Sequence, residues 1–371
     1  MTGDHHTVTG NCVSTLQILQ IRKKEINMGE NAYLKWFSGT QSIYWHDSAV
    51  RAQQLDAFAN GAVGMTTNPF LVQSTLNSDR AFWADALAKL PRGLKGDEKA
   101  MELIHTVTGY FLEEARPIFE KGNPGEGYIC AQTSPLHCGD ADFMIEQVKR
   151  YGQWAPNLMI KVPATRAGIE AYEEGVALGF NMAATVSFTV PQVIAVAEAA
   201  KRGYKRAEAN GVKPGITAAV MMAGRLDDYL RDVAHDTKAA VSESDIIQAG
   251  IACMKKAYSI FNERGYNTYI LPAGLRGANQ VYEMAGAKMI FSIAPKIAAL
   301  IDPNAPQEER IDVPVEQDVI DRLLTMPEFR KAYLEDGMTQ NEFMTFGSTN
   351  RTIDQFINDG WNVLTAYNYE N

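Results

Sequence analysis

A lysine lies inside an apolar run, Leu158-Met159-Ile160-Lys161-Val162-Pro163. An ammonium there is costly to bury unless it is paired or neutral. Strand side chains alternate, so Met159, Lys161 and Pro163 share one face. Desolvation favours the neutral amine, and a neutral amine is a nucleophile toward ketones and aldehydes. Position alone leaves two readings open: a Schiff-base lysine, or a strand-end lysine that reaches water or a carboxylate.

Other apolar runs end in polar groups that suit that chemistry. Asp47 closes a run at 42–49, and Thr66, Thr67 and Asn68 close one at 62–68. Gln132, Thr133 and Ser134 follow the run at 127–133, and Thr185 and Ser187 lie in the run at 181–188. Arg225 follows the run at 214–222, and Arg276 follows the run at 267–273. A carboxylate, a lysine, amides, hydroxyls and two arginines on one rim would make a coherent aldol site.

Such a rim needs a fold that gathers strand ends. With the run at 287–294 there are eight candidate strands. Amphipathic segments lie between them, at 51–60, 167–178, 191–209, 243–264 and 277–285. Strands alternating with helices imply a parallel sheet covered on both faces. Eight such units favour a (β/α)8 TIM barrel, in which chemistry collects at the carboxyl ends of the strands. The barrel is expected over about 40–300 of one domain, 1–371, with flanking helical segments at 1–39 and 301–371. The long connection after Asn77 is expected to hold two or three helices, including 80–90 and 98–121. Further helices are expected at 13–26, 317–324 and 353–367, packed outside the barrel or over its mouth.

Composition narrows the function classes. The 371 residues are 46% hydrophobic and 21% charged, as in ordinary globular proteins. The net charge of −9 disfavours nucleic-acid and anionic-membrane partners, so anion affinity must come from a local cluster. No apolar stretch is long enough for a membrane span, and the N-terminus has no signal pattern. Four cysteines, Cys12, Cys130, Cys138 and Cys253, are too few for a disulfide framework in so long a chain. The reading is a soluble, cytoplasmic protein with reduced thiols.

In this order the motifs resemble the transaldolase family, including its fructose-6-phosphate aldolase branch. The resemblance runs from about 42 to about 295. It rests on Thr66-Thr67-Asn68-Pro69, on Ile160-Lys161-Val162-Pro163-Ala164-Thr165 with Gly168-Ile169, and on Thr185-Val186-Ser187-Phe188-Thr189 with Gln192. Gly224-Arg225-Leu226-Asp227-Asp228 and Leu275-Arg276 extend it. The resemblance implies a dihydroxyacetone-transferring or aldol-cleaving enzyme for a phosphorylated ketose. It implies an imine on Lys161, with Asp47 as acid/base. Gln132 and Thr185 would position a water that shuttles protons. Asn68 would hold the lysine or the donor hydroxyls, Thr67 and Ser187 would also bind substrate, and Arg225 and Arg276 would grip its phosphate. It implies no cofactor and no metal. The first 40 residues, the helical insertion after Asn77 and the tail after Leu300 are the parts the resemblance explains least, and there a homo-oligomer contact or a lid is expected.

The chain departs from that pattern at three strands. Gln132 replaces the glutamate of transaldolases, as in the aldolase branch, and an amide cannot serve as a base at neutral pH. The family's strand-five asparagine corresponds to Ala183, or to Asn181 in a shifted register. Its Ser-Pro-aromatic stretch is replaced by Ala218-Ala219-Val220-Met221-Met222-Ala223. A non-catalytic sugar-phosphate binder on an aldolase barrel is therefore the alternative. His46, His137, Cys130 and Cys138 lack metal-ligand spacing. The two histidines could still line the barrel mouth. Lys288 and Lys296 read as solvated, the Met221-Met222 pair as core, and Trp36, Trp83, Trp154 and Trp361 as helix packing. Trp45 alternates with Asp47 and so would face the barrel interior.

Overall fold

All eight apolar runs form strands. They are β1 (Ile43–Asp47), β2 (Met65–Thr66), β3 (Ile129–Gln132), β4 (Leu158–Pro163), β5 (Asn181–Thr185), β6 (Thr217–Met221), β7 (Tyr269–Pro272) and β8 (Ile290–Ile293). The computed structural model describes residues 29–370. Cys12 and the helix expected at 13–26 lie outside the described residues.

The strands are parallel and hydrogen-bond in the order β7-β6-β5-β4-β3-β2-β1-β8. The two ends of that order, β7 and β8, meet in space, which makes a nearly closed (β/α)8 barrel. Its register places Lys161 beside Gln132 on one side and Ala183 on the other, and Ala183 beside Ala218. Paired residues of parallel strands point the same way, so these four share the interior face. The alanines are the smallest side chains that could fill this layer, and they leave room beside the lysine. Ala183 is level with Lys161, while Asn181 donates to the carbonyls of Pro156 and Leu158 at 2.9 Å each.

Trp45 faces inward, level with Ser292. It is fully buried, and its indole N–H donates to the Gly125 carbonyl at 2.8 Å. The residues between point out to the helices, among them Met65, Ile129, Ile160 and Val162, all buried.

The helices follow their capping residues. Arg166–Ala177 starts at Thr165, whose hydroxyl accepts from the Gly168 N–H at 3.0 Å. A Cβ at Gly168 would lie 1.9 Å from the Pro163 carbonyl oxygen, so only glycine lets this helix seat on the end of β4. Val190–Ala209 starts at Thr189, and Glu243–Arg264 starts with a capping box from Ser242 and Asp245. The connection from β2 to β3 holds three helices, Pro69–Ser78, Arg80–Leu87 and Gly96–Phe119. The expected helix at 277–285 is only the turn Asn279–Tyr282.

The tail wraps back over the barrel. It contains Gln317–Leu323, Pro327–Tyr333, Gly347–Gln355 and Asn362–Ala366. The stretch expected as one helix at 353–367 is interrupted by a π-helical turn, Phe356–Trp361. That turn packs against Pro69–Ser78.

Candidate active site

A cavity of about 470 Å³ opens at the carboxyl ends of the strands. Asp47, Asn68, Lys161, Thr185, Arg225 and Arg276 all line it. Six of the nine residues expected in the site therefore share one cavity.

Lys161 is only 7% exposed. Its Nζ donates to the main-chain carbonyl of Thr67 at 3.0 Å. The Thr67 hydroxyl turns the other way and donates to the Cys130 carbonyl at 2.7 Å. Thr67 thus faces the lysine with its backbone, and its side chain does not line the cavity. Asn68 caps Pro69–Ser78 through Oδ1, which accepts from the Leu71 N–H at 3.0 Å. The Thr-Thr-Asn-Pro motif therefore sets a carbonyl on the lysine, a helix cap, and a proline in the first helical turn, where no N–H is needed.

Asp47 belongs to a hydroxyl chain. The Thr66 hydroxyl donates to Asp47 Oδ1 at 2.7 Å and lies 2.6 Å from the Ser292 hydroxyl. Thr66 has one proton, so Ser292 must be the donor in the second bond. Ser292 lines the cavity and was not anticipated, although alternation along β8 puts it on the same face as Trp45's layer.

Gln132 and Ser187 do not line the cavity. Gln132 is level with Lys161 and buried, and its Oε1 has no hydrogen-bond partner among the described residues. Ser187 is buried and donates to the Val220 carbonyl. Thr185 does reach the cavity, just before Val186, whose φ is +57°. A left-handed β-branched residue is strained, and it marks a sharp turn of the chain at the end of β5.

The arginines sit after β6 and β7. Arg276 donates to the Asp228 carboxylate at 2.6 Å and to the Gly274 carbonyl at 3.0 Å. Burial, and then the Arg276 charge, holds Arg225 below the usual guanidinium range. Asp227 fixes this corner from behind. It accepts from the Gly250 N–H at 2.8 Å and from Gln280 Nε2 at 2.7 Å, and Gln280 in turn accepts from the Arg276 N–H at 2.7 Å. Burial pushes the Asp227 carboxyl up to about 7. Val220 and Met222 line the cavity, so Met222 is a wall residue as well as core.

The histidines correct the expectation that they line the mouth. His46 points away from Asp47, and both its ring nitrogens are buried without partners among the described residues. Burial lowers it to about 4. His137 hydrogen-bonds Asp97 at 2.9 Å and stacks on Phe143. Burial pushes the Cys130 thiol up to about 12, which leaves it neutral. Lys296, expected in solvent, is exposed on the cavity rim. Phe70 and Phe356 also line the cavity and carried no local signal in the sequence.

A parallel eight-stranded barrel with a lysine, a carboxylate and two arginines at its carboxyl-end mouth has the architecture of the barrel enzymes. The chain belongs to the transaldolase/fructose-6-phosphate aldolase family, whose profile matches residues 44–365. It is 27% identical over 239 residues to "Transaldolase 1" of Streptomyces avermitilis, covering 61% of this chain and 62% of that protein. It is 28% identical to "Transaldolase 2" of a Nostoc species, covering 56% of each chain. It is 27% identical to "Transaldolase" of Thiobacillus denitrificans, covering 59% of this chain and 62% of that protein. These matches span less than two thirds of the relatives' length.

Proposed function

We propose that the protein is a lysine-imine enzyme that cleaves or transfers a dihydroxyacetone unit of a ketose phosphate such as fructose 6-phosphate. The observation that carries this reading is the Lys161 amine, held by a carbonyl inside the barrel cavity that Asp47 and both arginines line. The amine adds to the ketone carbon, and water leaves as the iminium forms. The C3–C4 bond then breaks, and its electron pair moves into the iminium to give an enamine. The proton of the C4 hydroxyl passes to a base, and Asp47 is the carboxylate in the cavity. An aldehyde leaves. The enamine is then protonated and hydrolysed, or it adds to a second aldehyde. The arginines bind the phosphate, for which planar guanidinium forks are suited.

Borohydride reduction in the presence of fructose 6-phosphate tests this. The expected result is a dihydroxyacetone-sized mass addition at Lys161. No adduct with any of a panel of ketoses would sink the imine mechanism. Turnover with and without erythrose 4-phosphate then separates transfer from free cleavage.

A further inference from the structure

The two arginines at the mouth are held in electrically different ways. Arg276 is ion-paired to Asp228. Arg225 makes no ion pair among the described residues. Its Nη1 donates at 2.8 Å to the side-chain amide oxygen of Gln355, and its guanidinium lies 5.8 Å from the centre of the Phe356 ring. An amide oxygen fixes the direction of a guanidinium without cancelling its charge. A carboxylate does both. The ring face adds attraction, again with no opposing charge.

Gln355 and Phe356 come from the tail, 130 positions beyond Arg225. They are held there without help from the arginine. Phe356 opens the π-helical turn, a device that recurs at functional sites. At Gly360 a Cβ would lie 2.8 Å from the Phe70 nitrogen, so the turn presses directly on the start of Pro69–Ser78. Trp361 closes the turn, and its indole N–H donates to Asp97 at 2.6 Å. The strap is thus anchored at two points of the connection from β2 to β3, before Arg225 is considered.

We infer that Gln355 and Phe356 are positioning residues that make Arg225 the principal anion anchor of the cavity, through direct contacts that bring no opposing charge to it. The inference rests on the sugar-phosphate reading above. It assigns the two arginines unequal roles. Arg225 supplies the charge, and Arg276, already paired, supplies shape and a hydrogen-bond wall. Of the five N–H donors of Arg225, only one makes a hydrogen bond among the described residues, the one to Gln355. Burial of this cation also favours an incoming phosphate over continued solvation.

The test compares wild type, Gln355→Ala and Gln355→Glu, with inorganic phosphate as the probe in calorimetry. Gln355→Glu keeps a hydrogen-bond acceptor on Arg225 but neutralises it. A residue that merely props the tail would tolerate that change, whereas neutral positioning predicts the reverse order. We expect phosphate affinity to fall about threefold in Gln355→Ala and about tenfold in Gln355→Glu. KM for fructose 6-phosphate should rise in the same order, with kcat held within about twofold. Borohydride trapping of dihydroxyacetone, which carries no phosphate, should be unchanged in both variants. Equal phosphate affinity in all three proteins, or wild-type affinity in Gln355→Glu, overturns the inference. Failure of the wild type to trap dihydroxyacetone would instead remove the imine reading, while the phosphate ranking still decides the role of Gln355.

Discussion

Lys161 Nζ donates to the carbonyl oxygen of Thr67 across 94 positions of sequence, at 3.0 Å. The acceptor is a neutral dipole and not a carboxylate. A lysine held by a carboxylate would have to break an ion pair before reacting. A carbonyl orients the nitrogen at a lower cost in lost contact when the amine turns to substrate. The lysine is nearly buried, so its environment is set by the barrel and not by bulk water.

Lys161→Met is therefore expected to remove aldol activity by about a thousandfold or more. Methionine is close in length and apolar, so the barrel should keep its melting temperature within a few degrees. Steady-state rates, borohydride trapping and thermal melts check this together. Residual activity near the wild-type level in a folded variant would exclude Lys161 as the imine lysine.

Asp47, Thr66 and Ser292 form a directed chain in which Ser292 donates to Thr66 and Thr66 donates to Asp47. Thr66→Val keeps the shape but removes the only donor to Asp47 Oδ1 among the described residues. We expect about a tenfold loss of kcat and about 1–2 kcal/mol of stability. Thr66→Ser should restore the rate, because it restores the hydroxyl. A valine variant with the wild-type rate would remove the chain from the mechanism.

The barrel was legible because its signals are local. Each strand is a short apolar run, and each interior residue follows from alternation once Lys161 is placed. All eight strands formed within the expected runs. The parts that were not legible depend on backbone groups or on distant chain. Thr67 was expected to bind substrate, but its carbonyl is the group on the lysine and its hydroxyl turns away. No pattern in a sequence says which atom of a residue will face a site. Gln355 reaches Arg225 only because the tail folds back, and its neighbours carry no motif. Lys296 follows β8 as an ordinary exposed lysine, and the cavity edge happens to run beside it. His46 misled for the opposite reason. It adjoins Asp47 in sequence, yet in a strand adjacent residues point to opposite faces.

Gln132 shares a register level with Lys161 and offers a buried amide oxygen with no partner among the described residues. An amide can orient a water or hydroxyl but cannot accept a proton from it at neutral pH. Gln132→Glu places a carboxylate beside the lysine at nearly constant volume. If the amide is what disfavours transfer, the variant should raise transfer to erythrose 4-phosphate relative to release of free dihydroxyacetone. Product analysis by mass spectrometry reads the ratio. An unchanged ratio in a folded, active variant would place the difference between cleavage and transfer elsewhere.

His46 gives a prediction about stability and not catalysis. Its ring is buried between the barrel and its helices, and burial lowers its pKa from 6.5 to about 4. The unfolded chain takes up this proton near pH 6.5, while the folded chain resists until about pH 4. Between those values the unfolded state binds more protons, so stability falls as pH falls. The loss reaches up to about 3 kcal/mol by pH 4. His46→Phe removes the titrating group and sacrifices no side-chain hydrogen bond, since neither ring nitrogen has a partner among the described residues. Urea unfolding of both proteins at pH 7.5 and pH 4.5 should show a smaller acid-induced loss in the variant. The carboxylates titrate in both proteins, so the difference between the two losses isolates this histidine. Equal losses would mean that His46 takes up its proton in the folded state as easily as in the unfolded one.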